Sequence, residues 1–425
     1  MIFSNPKRMK QKTPNKESWF NFYAGYSGAF VRDVLVQVMP NNQGRVLDPW
    51  NGSGTTTTTA HEQGIDSTGI DINPVMIIVA KAKLLSPGVV ESLLPLAEEI
   101  IALAKQTKKR IHYTDPLLEW FTPAGALPTR LLADAISKIL MPSEAWEKVF
   151  LSDHICLVSD LAAFFLVALF RTTRSLVVRF RPTNPTWIKA PESDKCRIRP
   201  NPEKVYDEFR LNIREMLAGV APISGQANTI ISLGSSSDLP LAKKSVDAVI
   251  ASPPYCTRID YAIATKPELA VLGYSQKRDF DSLRRLMMGG PVVTSLASST
   301  KSGWGENCVN FLKAVETHPS KGSRSYYHKL FLQYYAAMYE SLQEINRVLV
   351  PDGQCVLVVQ DSFYKEVHID VAKHIGEMAR NLGWTLKNRF DFEANLVMAR
   401  MNPKIKKYRT YSGATESVLW FRKAS

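Results

Sequence analysis

Gly44-Arg45-Val46-Leu47-Asp48-Pro49-Trp50-Asn51-Gly52-Ser53-Gly54-Thr55-Thr56 joins a short apolar run to a glycine-rich turn and then to a threonine-rich segment. The apolar run is too short for a helix and reads as a buried strand ending at Asp48. Helical sequence extends from Thr55 to Gln63, and a second strand over Ser67–Ile72 brings Asp71 to its end. Pro74 then suits the first position of another helix. Strand, turn, helix and strand within about 40 residues make a βαβ unit, the start of a parallel sheet.

In parallel α/β sheets, ligands bind beyond the carboxyl ends of the strands, where this turn lies. Gly52 and Gly54 let backbone N–H groups approach a ligand closely. Asp71, at the end of the next strand, can accept hydrogen bonds from both hydroxyls of a ribose. These features fit any cofactor with a nucleoside part, and the same residues also suit an ordinary βα turn with a Ser or Thr helix cap. Two details disfavour a dinucleotide: Thr57 replaces the third glycine of the G-x-G-x-x-G pattern, and Asp48 would repel a pyrophosphate while suiting an ammonium group.

The alternation of strand and helix stops after residue 87 and returns at Thr229. Strands are expected at 229–233, 246–251 and 354–360, and helices at 326–349 and 369–382. Val350-Pro351-Asp352-Gly353 reads as a turn, and 384–392 with 416–423 as a closing hairpin. The buried strand Val246-Asp247-Ala248-Val249-Ile250-Ala251 delivers Ser252-Pro253-Pro254-Tyr255 to the same sheet edge as the glycine turn.

Together these segments carry a specific resemblance. DPWNGSGTT followed by TGIDINP resembles the DPFxGSGTT and GIDINP motifs of the DNA amino-methyltransferases, and SPPY resembles their [DNS]PP[YF] catalytic motif. Trp50 stands where that family usually has Phe. The resemblance implies S-adenosylmethionine as cofactor and a Rossmann-like class I methyltransferase sheet, α/β and mostly parallel, with an antiparallel last strand and a largely helical insertion. It implies that Asp48, Gly52 and Gly54 surround the methionine part and that Asp71 holds the ribose. Pro49, Trp50, Ser53, Thr55 and Ile72 are counted to the same site, and Asp238 to the adenine. Tyr23, in an aromatic stretch with Phe22 and Gly25, is a candidate lid residue or, equally, an N-terminal anchor.

The residue types of the second motif suit amine methylation. An exocyclic amine on cytosine or adenine is a poor nucleophile because its lone pair is delocalised into the ring. Ser252 Oγ and the Pro253 carbonyl offer acceptors for its two N–H bonds, which frees the lone pair. Pro253 and Pro254 stiffen the backbone that holds those acceptors. Tyr255 offers a face on which a flipped-out base can stack. Serine in the first motif position leans the reading to N4 of cytosine over N6 of adenine. An N2-guanine enzyme acting on RNA, and a DNA-binding subunit of a restriction or defence complex that holds the cofactor without transferring methyl, are the other readings. No Pro-Cys dipeptide occurs, which disfavours covalent C5-cytosine chemistry; Cys256 after the motif reads as packing.

Composition agrees with a polyanionic partner. The 425 residues hold 53 Lys+Arg against 40 Asp+Glu, a net charge of +13, which favours double-stranded DNA, although a solvated basic surface would show the same excess. The five cysteines show no metal spacing and read as reduced thiols of a cytoplasmic protein; the resemblance to the DNA amino-methyltransferases implies a bacterial or archaeal, nucleoid-associated one. Leu161–Phe170 (LAAFFLVALF) is too short to span a membrane, which takes ~20 residues, and reads as a core helix. No membrane contact is expected; a separate restriction or defence protein is counted as a partner.

Residues 1–87 and 227–425 are expected to form the methyltransferase core. Residues 88–226 form an insertion, helical to about Phe170 and then irregular and basic, and a candidate for DNA recognition. Arg171, Arg174, Arg179, Arg181, Lys189, Lys195, Arg197 and Arg199 face only Glu192 and Asp194 in that basic stretch. Residues 274–325 form a second insertion; across 274–330, Arg284, Arg285, Lys301, Trp304, Arg324, Tyr326 and Tyr327 are candidates for DNA contact. Arg258, Asp260 and Tyr261 are candidate base-pocket residues.

Overall fold

The computed structural model describes residues 3–7, 15–20, 25–142, 155–184, 186–220, 227–256, 259–275, 279–294, 299–394 and 414–425. Helix α1 (Gly28–Val38) leads into β1 (Arg45–Asp48), α2 (Thr55–Glu62), β2 (Asp66–Asp71) and α3 (Pro74–Lys83). Helices α4 (Val90–Gln106), α5 (Pro123–Leu140), α6 (Asp160–Leu176) and α7 (Pro202–Leu217) form the insertion before β3 (Thr229–Leu233) and β4 (Val246–Ala251). Then follow α8 (Glu306–Thr317), α9 (His328–Val348), β5 (Leu349–Gln360), a β6–β7 hairpin (Ser362–Tyr364 and Val367–Ile369), α10 (Val371–Asn381), β8 (Trp384–Ala394) and β9 (Ala414–Lys423).

Seven strands make one sheet in the order β3-β2-β1-β4-β5-β9-β8. The first five are parallel, and β9 runs antiparallel between β5 and β8. This is the expected mostly parallel sheet with an antiparallel last strand. Strand alternation divides the core: Val46, Ala248, Ile250, Val356 and Val358 pack with Phe30, Val31, Val34 and Leu35 of α1. Leu47, Val249, Ala251, Cys355 and Leu357 face the opposite side, against α8, α9 and α10.

Val350–Gly353 differs from its expected role as a separating turn. It lies inside β5, where the register with β4 jumps from Val246↔Leu349 to Ala248↔Gln354. The extra residues loop out as a bulge, with Asp352 at φ 61°.

The irregular stretch expected after Phe170 begins later, after Leu176, and runs to Asn201 with, among the described residues, only the short 3-10 turns Val178–Phe180 and Asp194–Cys196 in it. Helix α6 continues to Leu176, because its arginines find partners inside the protein. Arg171 donates to Asn212 Oδ1 at 2.7 Å and to the Ser18 and Trp19 carbonyls at 3.3 Å. Arg174 pairs with the fully buried Glu268, donates to the Ala264 carbonyl at 2.8 Å, and lies 4.5 Å above the Phe20 ring. Helix α7 then returns, burying Val205, Phe209, Ile213 and Met216 at helical spacing. Ala162–Phe170 are fully buried, as a core helix requires. They share one cluster with α3, α4, α5, α7 and residues 262–287, so the insertion is packed onto the sheet layer through α3. Among the described residues no helix is long and apolar enough to cross a membrane.

Candidate active site

The glycine turn is held from three sides. Gly54 takes φ 79°, and a Cβ there would come within 2.8 Å of the Ala80 Cβ, so α3 can lie against the turn only above glycine. The buried Lys83 ammonium, also on α3, donates to the Ser53 carbonyl at 2.6 Å. Thr57, in place of a third glycine, points its hydroxyl at Asn51 Oδ1, 3.0 Å away. From β2, Asp71 accepts the Gly52 N–H through Oδ2 and the Asn73 N–H through Oδ1, both at 2.8 Å. Desolvation raises the Asp71 pKa to about 6, against those hydrogen bonds, which favour the ionised form.

Behind the turn sits a buried polar knot. Asp48, 1% exposed, accepts the Trp50 N–H at 3.1 Å through Oδ1; Oδ2 accepts the Tyr26 hydroxyl at 3.0 Å and the Thr56 hydroxyl at 2.6 Å. Burial pushes its pKa to about 7, with the hydrogen bonds from Thr56, Trp50 and Tyr26 acting the other way.

The Ser-Pro-Pro-Tyr loop is braced by two tyrosines. Tyr334, buried on α9, donates its hydroxyl to the Pro254 carbonyl at 3.0 Å. Tyr261 accepts the Tyr255 N–H through its hydroxyl oxygen at 3.0 Å. Burial raises both phenol pKa values, so both keep their protons. Pro254 O and Tyr255 N are thus engaged within the protein, and Ser252 and Pro253 line the cleft beside them.

These parts open onto one cleft of about 880 Å³, partly open to solvent. Pro49, Trp50, Gly52, Asp71 and Ile72 line it from the turn and β2, and Ser252, Pro253, Pro254 and Tyr255 from the end of β4. The cleft does not include every residue expected in it. Asp48, Ser53, Gly54 and Thr55 are buried behind its wall, where they build the turn. Asp238 is exposed and outside it; the adjoining Ser235, Ser236 and Ser237 take that part of the lining. Helix α9 fixes that serine loop: Arg347 donates to the Leu239 and Leu241 carbonyls at 2.8 and 2.7 Å. Tyr23, Phe22 and Arg258 lie outside the described residues.

Sequence reasoning missed Asn73, Met76, Ala337 and the wall formed by Leu286, Met287 and Met288. The serine loop could have been found, since it follows β3 at the same sheet edge; the methionine wall had no signal, because its insertion reaches the cleft only through tertiary packing. Tyr261 does line the cleft, as expected. Asp260 accepts the Ile263 N–H at 3.1 Å and pairs with Arg284 at 2.6 Å, a supporting position beside it. Trp304 is fully buried and is packing, not a DNA contact.

The lining suits a nucleoside-bearing amino acid. A carboxylate faces the cleft from β2, and Trp50, which also lines it, carries a buried Nε1 donor without a partner. Fold and cleft thus define a methyltransferase of the Rossmann-like class. Residues 246–425 match the DNA methylase family model of N6 and N4 enzymes. The Type II methyltransferase M.AvaI of Nostoc sp. is 22% identical over 421 residues, covering 88% of this chain and 80% of its own. M.BsoBI of Geobacillus stearothermophilus is 25% identical over 368 residues, 80% of this chain and 64% of its own. Among solved structures, geranyl diphosphate methyltransferase with GPP and sinefungin aligns at 8% identity and TM-score 0.33, over 92% of this chain and 78% of that one. The chain is similar to the DNA amino-methyltransferases in its C-terminal part and along most of its length to these Type II enzymes, and its cofactor is S-adenosylmethionine.

Proposed function

We propose that this enzyme methylates N4 of a cytosine at a specific sequence in double-stranded DNA, acting on a base turned out of the helix. The observation that carries the reading is that Gly52 and Ser252 line one cleft. S-adenosylmethionine supplies the electrophilic methyl group. Asp71 accepts hydrogen bonds from the ribose hydroxyls, while Trp50 Nε1 offers a donor to the carboxylate end. The serine loop at 235–237 takes the adenine side. Asp48 acts through the turn that it braces with Tyr26 and Thr56.

Ser252 Oγ and the Pro253 carbonyl accept the two N–H bonds of the target amine and turn its lone pair toward the methyl. Tyr255 stacks on the base, and Tyr334 and Tyr261 keep the loop in register. Holding amine and methyl at contact distance lowers the entropic part of the barrier. Serine as the first loop residue favours cytosine over adenine, and the net charge of +13 supports attraction to the duplex.

The test incubates the protein with genomic DNA and methyl-labelled cofactor and identifies modified nucleosides by mass spectrometry, with sequencing to map the site. N4-methylcytosine is expected. N6-methyladenine would transfer the reading to adenine, and label on RNA alone would remove DNA as substrate.

A further inference from the structure

We propose that Leu286 is a wedge that enters the base stack when the target base leaves it, and that the segment 281–291 is the lip that carries it. This deepens the methyltransferase reading and rests on it. On the short helix Asp281–Leu286, Leu283 faces the core and is 7% exposed, and Met287 just beyond the helix is 5% exposed. Leu286 between them is 65% exposed although apolar, and it lines the rim of the cleft that holds Ser252 and Tyr255. A lone exposed leucine is ordinary on a protein surface. One at the mouth of a base-sized cleft, beside the exposed Arg285, has the chemistry of an apolar wedge backed by a phosphate contact.

The lip is fixed to the catalytic loop directly at Gly289 and, through Arg284, by way of Asp260 and the turn Tyr261–Ala264. Arg284 pairs with Asp260 at 2.6 Å, and Asp260 caps the helical turn Tyr261–Ala264 through the Ile263 N–H. Tyr261 on that turn accepts the Tyr255 N–H. Gly289, at φ 76°, lies so close to the Tyr255 carbonyl that a Cβ would sit 2.6 Å from its oxygen. On the far side the Tyr326 hydroxyl donates to the Pro291 carbonyl at 2.8 Å, and the Tyr326 and Tyr327 rings meet edge to face at 5.0 Å, both partly exposed. Wedge and stacking tyrosine are therefore parts of one braced unit: as Tyr255 receives a base, Leu286 stands where the gap in the duplex would be. Filling that gap offsets part of the unstacking cost.

Two duplexes carrying the mapped recognition site decide it, one with the target base paired and one with it opposite an abasic position. Single-turnover methylation with labelled cofactor is measured for the wild type, Leu286→Ala and Leu286→Met. Leu286→Ala is expected to slow methylation of the paired duplex about tenfold. It should recover most of that loss on the duplex whose target is already unpaired, and Leu286→Met should stay close to the wild type on both. Equal loss on the two duplexes, or no loss on the paired one, overturns the wedge and leaves the methyltransferase reading intact. A wild type that methylates neither duplex overturns that reading and the wedge together.

Discussion

The Gly52 N–H donates to Asp71 Oδ2 at 2.8 Å, so the carboxylate at the end of β2 holds the glycine turn that follows β1. One side chain thus positions the turn and faces the cleft. Replacing Asp71 by Asn puts an amide donor against the Gly52 or Asn73 N–H. Loss of a charge-assisted hydrogen bond costs ~1.5–3 kcal/mol, which predicts a cofactor Kd about 10- to 100-fold weaker by calorimetry. Wild-type affinity should also weaken as the pH falls through about 6, where Asp71 takes up a proton, and the Asn variant should not show that inflection. An unchanged Kd would remove Asp71 from the cofactor site.

Tyr334 acts on the other half of the site. Phenylalanine there keeps the ring and removes the hydroxyl that holds Pro254 O. A lost hydrogen bond of ~1 kcal/mol predicts a kcat about five-fold lower with cofactor affinity unchanged. Tyr255→Ala should go further, abolishing turnover on DNA while cofactor affinity stays close to that of the wild type. A parallel fall in both quantities for either variant would contradict the separation of the two half-sites.

Arg174 belongs to the fold and not to a DNA surface. Its substitution by Ala leaves Glu268, which has no exposure, without its ion-pair partner and with the charge of Arg181 still nearby. Breaking such a pair costs ~3–5 kcal/mol, a loss that thermal unfolding should show as a marked drop in Tm. DNA affinity of the protein still folded should hold. A weakened affinity at unchanged Tm would return Arg174 to the DNA interface.

Asp48 makes stability depend on pH. Its folded pKa, about 7, lies above its ordinary value of 3.8, so the folded state holds a proton that the unfolded state releases. That contribution is complete below about 3.8 and is lost as the pH rises through about 7. Asp48→Asn lacks the titration. Its Tm relative to the wild type should rise from pH 5 to about 7 and level off above; a difference that falls over this range would mean that the carboxylate is stabilised by its site.

Local sequence was enough for whatever depends on neighbours along the chain. A run such as Val46-Leu47 before Gly52 and Gly54 can only be a strand entering a tight turn. Val246–Ala251 before two prolines can only end where the prolines forbid the strand to continue. The parallel rule then puts both turns at one edge, which is why their meeting at one cleft was readable. Tertiary structure decided the rest, because it depends on which distant partner a side chain meets. A row of arginines looks the same whether it faces phosphate or, like Arg171 and Arg174, Asn212 and Glu268. Asp48 lies on the cofactor turn in sequence yet is turned inward to Tyr26 and Thr56, and Asp238 is displaced from the cleft by its serine neighbours. Leu286, Met287 and Met288 reach the cleft only because Asp260 captures Arg284 and Gly289 admits the Tyr255 carbonyl, contacts that no periodicity along the chain encodes.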